Sequence, residues 1–494
     1  MNKNSAAEPA RLLSAGYDVK TPFDVNLSSG SRPSAVTCIR VLRNLPKKRL
    51  VCEAETNGEK FVAKFFLDQK KGKKHSRREI KGLSALKKSG LHTPRVVFTG
   101  SIDPGGKQPV ILLEFLNKAE DFTDAWQTAQ TDARRRELME SLAAETAALH
   151  EAGLIHQDAH PGNFMVCDNI FYAIDGASVD CRHQGSPLST SKSIQNLAAF
   201  FAQFSSRFDS LLLDAFDSYI NRRGWKPDKQ LETGLKKQIQ RQRKKREKKH
   251  LKKIYRQSSA QVCSKAWDYF MVCKRDCRTP DMDRLLADPD SFIARGRLLK
   301  NGNSSTVALV NIDDRQLVVK RYNMKNVRHA LSRCARPSRA WRCWKNAHQL
   351  SLLGIETPRP IAMLERRLGP FRSRAYFITD YVPGPDAYHW FHARDRKTPD
   401  EKKIIEQFGD ILQNFHDALI VHGDLKATNF IFSGENLVVI DLDSMHSYIY
   451  PTRRFHREFQ KDCRRFMQNW EDLENTSTLF YKELSKRGLI SLDL

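Results

Sequence analysis

Residues 422–430 read HGDLKATNF, and residues 156–164 read HQDAHPGNF. Both fit the frame His-x-Asp-x-x-x-x-Asn-Phe, so an acid and, five positions later, an amide recur on one polar string. Asp158 and Asp424 stand 266 positions apart (424 − 158). The apolar endings FYAID (171–175) and NLVVID (436–441) keep that separation and set Asp175 against Asp441. PVILLEF and AYFITDY place Glu114 against Asp380, again at 266. GLHTP (90–94) matches GIETP (354–358) at 264, and EKFVAKFF matches RQLVVKRY at 256, setting Lys64 against Lys320. Landmarks held in one order at a nearly constant offset indicate duplication of a whole domain, since solenoids repeat every ~20–50 residues.

Each half has the same coarse layout. In the first, VTCIRVL, RLVCEAET and EKFVAKFF read as strands, with Asn57-Gly58 as a hairpin turn. A helix over SRREIKGLSALKKSG ends near Gly90, and RRRELMESLAAETAALHEAG forms another before the polar string. The second half repeats this with TVALVNI, QLVVKRY, SRAWRCWKNAHQLSLLG, AYFITDYV and KKIIEQFGDILQNFHDA. The expected organisation is a first domain at 30–225, a basic helical linker at 226–285 and a second domain at 286–494.

The chain has 494 residues, 40% of them hydrophobic, and a net charge of +26. Such a field favours polyanions, among them an anionic membrane surface or a phosphorylated glycolipid. The opening segment lacks an apolar core like that of a secretory leader. No run of 18 apolar residues suggests a spanning helix, so a cytosolic chain with peripheral membrane contact is expected. The basic run RQRKKREKKHLKK (241–253) is a candidate for that contact, or a solvated interdomain helix. The ten cysteines include no C-x-x-C pair and read as reduced thiols. No nucleic-acid module is recognisable, so no nucleic-acid partner is expected.

Phosphoryl transfer needs a positioned carboxylate, metal ligands and a cation on the nucleotide phosphates. Asp424 and Asp158 are placed to orient an attacking hydroxyl and accept its proton. Asn429 and Asn163, with Asp441 and Asp175, are candidate magnesium ligands, and Lys320 and Lys64 candidate phosphate cations. The step from first to second Asp is 17 residues in both halves (441 − 424 and 175 − 158). In KNGNSST (300–306), Gly302 and Ser304 offer backbone N–H groups to phosphate. RNLPKKR (43–49) has no glycine there and offers Lys47, Lys48 and Arg49 instead. Glu79 can pair with Lys64. The matching helix AWRCWKNAHQL has no acid, so Lys320 is expected to be positioned by Asn346 or by another acid.

Lys, hinge strand, H-x-D-x-x-x-x-N and I-D in that order, twice, resemble the protein-kinase-like superfamily. HGDLKATNF, IDLDSM, SRAWRCWKNAHQLSLLGIETPRPIA and RRFHREFQKDCRRFMQNW resemble bacterial lipopolysaccharide core kinases, which phosphorylate Kdo or heptose sugars. The tandem arrangement is similar to the InaA-like two-domain proteins of Gram-negative bacteria, and HQDAHPGNF to atypical kinases with a D-x-HPGN loop. The resemblance implies an α+β fold of two tandem kinase-like domains, each with a small β-rich lobe and a helical lobe. It further implies ATP and Mg2+, a lipopolysaccharide core acceptor, and a peripheral position at the cytoplasmic face of the inner membrane. A pseudokinase scaffold and a small-molecule phosphotransferase are the competing readings.

Overall fold

The computed structural model describes residues 12, 16–17, 19–28, 35–103, 108–167, 170–323, 337–369, 371–393 and 401–490. Most of the opening segment assessed as a leader, together with the predicted domain ends at 30–34 and 491–494, lies outside the described residues. The chain divides into two compact units: Met1–Phe204 with Phe208–Lys245, and Ser205–Arg207 with Arg246–Leu494.

In the first unit, six strands close an antiparallel barrel. They are β1 (Phe23–Ser28), β2 (Ala35–Leu45), β3 (Arg49–Thr56), β4 (Glu59–Phe66), β5 (Val96–Asp103) and β6 (Pro109–Glu114), in the order β1-β2-β3-β4-β6-β5. Alternate side chains such as Val36, Cys52, Ala63, Phe65 and Leu112 fill its interior. The β3–β4 turn uses Asn57 and Gly58 at φ 52° and 77°, the mirror-image turn that suits right-twisted strands. Helix α1 (Gly72–Lys88) follows β4, burying Glu79, Gly82, Leu83 and Leu86. Helices α2 (Asp132–Glu151), α3 (Thr190–Phe201) and α4 (Asp209–Arg222) then pack with the hairpin β7 (Phe164–Cys167)/β8 (Ile170–Ala173). Their core includes Leu142, Phe164, Phe171, Leu197, Phe201 and Phe216.

Helix α5 (Lys229–Lys253) buries Leu235 and Ile239 and leaves Arg241, Lys244, Lys245, Lys248, Lys249, Lys252 and Lys253 exposed. These cations recur every three or four residues and so occupy one face of the helix. The predicted linker is one continuous helix only to this point, and helix returns at Pro280–Ala287. Beyond it, β9 (Gln261–Lys265) and β10 (Tyr269–Lys274) form a hairpin, and β10 pairs with β14 (Pro360–Leu368) of the second unit. The buried apolar row Phe270, Met271, Val272 and Cys273 gives β10 its place there, so 254–285 is part of the second unit rather than a helical spacer.

The second unit's sheet also contains β11 (Arg297–Asn301), β12 (Ser305–Ile312), β13 (Arg315–Tyr322) and β15 (Phe371–Asp380), in the order β9-β10-β14-β15-β13-β12-β11. Helix α6 (Arg339–Leu353) starts where the Ser338 hydroxyl accepts from Trp341 N–H and stops at Gly354, φ 71°. Its Trp344 is fully buried and donates to Ile254 O at 3.1 Å. The helical part holds α7 (Glu401–Asp417), the hairpin β16 (Phe430–Ser433)/β17 (Asn436–Val439), α8 (Arg453–Met467) and α9 (Glu474–Lys486). Phe408, Phe430, Phe466, Trp470 and Phe480 form its aromatic core.

Candidate active sites

In the first unit, Lys64 on β4 places its ammonium 2.5 Å from Glu79 Oε1 and 2.9 Å from Ile174 O. The second Glu79 oxygen accepts from Ala177 N–H at 3.1 Å, so α1 and the loop after β8 meet on this carboxylate. Two glycines allow that approach: a Cβ on Gly82 would lie 1.9 Å from Gly176 O. Asp175, at the start of the same loop, accepts from the Ser178 hydroxyl at 2.8 Å, while its Oδ1 is buried without a partner. Burial opposes its charge, but Lys64 and Ser178 outweigh burial and hold its pKa below the ordinary carboxylate value.

Asp158 is exposed. Its carbonyl oxygen accepts from Asn163 Nδ2 at 2.8 Å and pairs with His156 Nδ1 at 2.9 Å, which fixes the loop. His156 is buried, and burial lowers its pKa. Its ring nitrogen on the Asp158 carbonyl ties it to the loop. A 660 Å³ cavity is lined by Arg43, Arg49, Lys64, Asn163 and Asp175, among others. Of the three basic residues proposed for phosphate contact, Arg49 lines it and Lys47 and Lys48 do not.

The second unit repeats the arrangement with changed partners. Asn429 Nδ2 donates to Asp424 O at 2.8 Å, as Asn163 does to Asp158. Asp424 Oδ1 lies 2.7 Å from Arg465 Nη2, and its other oxygen 3.2 Å from Lys426 Nζ. Lys320 on β13 donates to Asp441 Oδ1 at 2.7 Å and to Asp443 Oδ1 at 3.0 Å. Burial opposes the ammonium, yet Asp443 and Asp441 outweigh it and keep its pKa above the ordinary lysine value. Asp441 has φ 59°, a left-handed conformation costing a non-glycine residue roughly 1–3 kcal/mol, of the kind that gathers at functional sites. A 540 Å³ cavity is lined by Lys300, Lys320, Lys426, Asn429, Asp441 and Asp443, among others.

Of the two partners offered for Lys320, Asn346 or another acid, the structure has the acid. Asn346 does not position Lys320; it donates to Leu442 O at 3.0 Å and to Met445 O at 2.8 Å. The acids beside Lys320 are Asp441 and Asp443, the second of them from outside the predicted set. Gly302 and Ser304 sit at the tip of the β11–β12 hairpin and do not line the cavity. The Gly302 N–H is spent on Ser305 O at 3.0 Å, and Ser304 O accepts from Asn323 N–H at 3.2 Å.

Sequence reasoning also missed the residues that hold the two loops. Asn196 on α3 donates to His156 O at 2.9 Å, and Asp462 on α8 accepts from Gly423 N–H at 2.9 Å. They stand 266 positions apart (462 − 196), so continuing the repeat past the second Asp would have found them.

Among the described residues no cluster of three or more His, Cys, Asp or Glu forms a metal site. The residues nevertheless suit magnesium, which takes one or two protein oxygens and completes its shell with phosphate and water. With each Asn Nδ2 spent on its loop, the amide oxygen is the group left for a cation. The partnerless Asp175 Oδ1 has the same character.

A family model described as "Lipopolysaccharide kinase (Kdo/WaaP) family" matches residues 59–175 and 286–483. No curated protein matches the chain. Among solved structures, WaaP in complex with acyl carrier protein is similar at 21% identity and TM-score 0.32, over 42% of this chain and 88% of that one. A mutant PknI kinase domain from Mycobacterium tuberculosis is similar at 15% identity and TM-score 0.24, over 34% and 70%. The stretches matched by the family model cover more than half of the residues, and the chain belongs to the lipopolysaccharide kinase (Kdo/WaaP) family and is a kinase.

Proposed function

We propose that this kinase transfers the terminal phosphoryl group of ATP, with Mg2+, to a heptose or Kdo hydroxyl of the lipopolysaccharide inner core or its precursor. The observation that carries the reading is the convergence of Lys320, Asn429 and Asp441 on one cavity, with Asp424 on the loop that Asn429 fastens. Asp424 orients the acceptor hydroxyl and takes its proton; Lys320 and Lys426 hold phosphate oxygens; Asn429 and Asp441 present oxygens to the cation. The cation, when bound, offsets the phosphate charge. In this reading the two units are tandem kinase-like domains, and Asp158, Lys64, Glu79, Asn163 and Asp175 serve the same roles in the first.

The acceptor is an anionic glycolipid, which accounts for the +26 charge. Among the described residues no helix is long and apolar enough to cross a membrane. The basic face of α5 is our candidate for peripheral contact with the cytoplasmic face of the inner membrane of a Gram-negative bacterium. The test is labelling of lipopolysaccharide by the purified chain with Mg-ATP. Asp424→Ala should remove most of it, and adding Asp158→Ala should bring the loss to about a hundredfold or more. Labelling untouched by both Asp424→Ala and Asp158→Ala would overturn the catalytic roles. Nucleotide binding without transfer would point to a scaffold.

A further inference from the structure

The two units anchor the nucleotide-site lysine with acids from different elements. Helices α1 and α6 are in register through Gly90 and Gly354, at 264, which sets Cys343 opposite Glu79. The loops after the I-D pairs are in register at 266, which sets Asp443 opposite Ala177. The first unit thus has Glu on the helix and Ala on the loop, and the second has Cys on the helix and Asp on the loop.

The contacts agree with the exchange. Glu79 joins Lys64 to the N–H of Ala177. In the second unit one oxygen, Asp443 Oδ1, accepts from Lys320 at 3.0 Å, from the Tyr322 hydroxyl at 2.6 Å and from the Cys343 thiol at 3.0 Å. The helix–loop contact has changed with it. Gly82, whose lack of a side chain lets α1 touch Gly176, is replaced in register by Asn346, whose amide bonds Leu442 O.

We propose that Asp443 is the positioning acid of the second site, having taken over from the loop the task that Glu79 performs from the helix, with Cys343 as its thiol donor. This rests on the reading of the second unit as a nucleotide site. Lys320 is then set by the strand–loop pair, and α6 contributes no charge to it.

The test uses the full chain carrying Lys64→Met, so that the second site reports alone, and measures affinity for a fluorescent Mg-ADP analogue. Asp443→Ala should weaken binding at least tenfold, and adding Cys343→Glu should restore it to within threefold of the parent. Asp443→Asn, which keeps acceptors for Tyr322 and Cys343, should bind as weakly as Asp443→Ala. If Asp443→Ala fails to fold, the reciprocal pair in a Lys320→Met chain decides: Glu79→Cys should weaken first-unit binding and Ala177→Asp should recover it. Parent-like affinity for Asp443→Ala, or a double variant no tighter than Asp443→Ala, would overturn the exchange while leaving the nucleotide site standing. A parent that binds no Mg-ADP would overturn both.

Discussion

Arg465 reaches from α8 to Asp424, its Nη2 2.7 Å from Oδ1, so the proposed base carries a cation from a distant helix as well as its loop neighbour Lys426. An incoming hydroxyl must share that carboxylate, and an anionic acceptor offers Arg465 a second partner. Arg465→Ala is therefore expected to raise KM for lipopolysaccharide about tenfold, some 1.4 kcal/mol, while nucleotide affinity stays within twofold. Steady-state kinetics and nucleotide titration on one preparation check this. Equal losses in both would speak against an acceptor role.

Asp462 fastens the loop through Gly423 N–H, and hydrogen bonds to a charged group contribute about 1.5–3 kcal/mol. Burial raises its pKa, so the position already opposes charge. Asp462→Ala should lower stability of the second unit by about 2 kcal/mol and reduce kcat, because Asp424 is carried on the same loop. Urea unfolding and kcat measured together test it; a stable variant with unaltered kcat would show that the loop holds itself.

His150, at the end of α2, is buried between the Tyr219 hydroxyl at 2.8 Å and Asn196 Oδ1 at 3.0 Å, and burial pushes its pKa down to about 4. Between about pH 6.5 and 4 the unfolded chain binds a proton that the folded one refuses, so this contribution is complete above pH 6.5 and declines as pH falls. The loss over that window is about 3 kcal/mol. Hydrogen exchange of α2 amides, corrected for intrinsic rates, should show it, and His150→Gln should flatten the dependence.

Each of the exposed lysines on the α5 face should contribute about 1 kcal/mol near an anionic bilayer. Replacing Lys244, Lys245, Lys248 and Lys249 by Gln should reduce partitioning to vesicles containing phosphatidylglycerol at least about a hundredfold. Sedimentation at low and 0.5 M salt checks it, since the parent's binding should also weaken with salt. Unchanged partitioning would return this face to the role of a solvated helix.

The legible parts of the sites are those set by local spacing: Asp424 and Asn429 on one loop, Asp441 after β17, Lys320 within β13. The illegible parts are contacts across long separations. Asp443 is two residues from a predicted ligand, yet its bond to Lys320 depends on how β13 packs against the loop. Arg465 looks like one cation among many in RRFHREFQKDCRRF until the fold turns it onto Asp424. The β9–β10 hairpin is hidden differently: its short apolar rows follow a strongly basic helix, and pairing with β14 decides their conformation.

The Lys320–Asp443 pair also orders the mutations that can separate such copies. If an ancestral unit held its lysine with a helix carboxylate, gaining the loop acid first leaves the ammonium paired throughout. Losing the helix acid first leaves the buried ammonium with Asp441 alone and takes an acceptor from the Tyr322 hydroxyl beside it. Restoring Glu at 343 with Asp443 retained builds the form with both acids, in which the ammonium keeps a second carboxylate throughout the exchange.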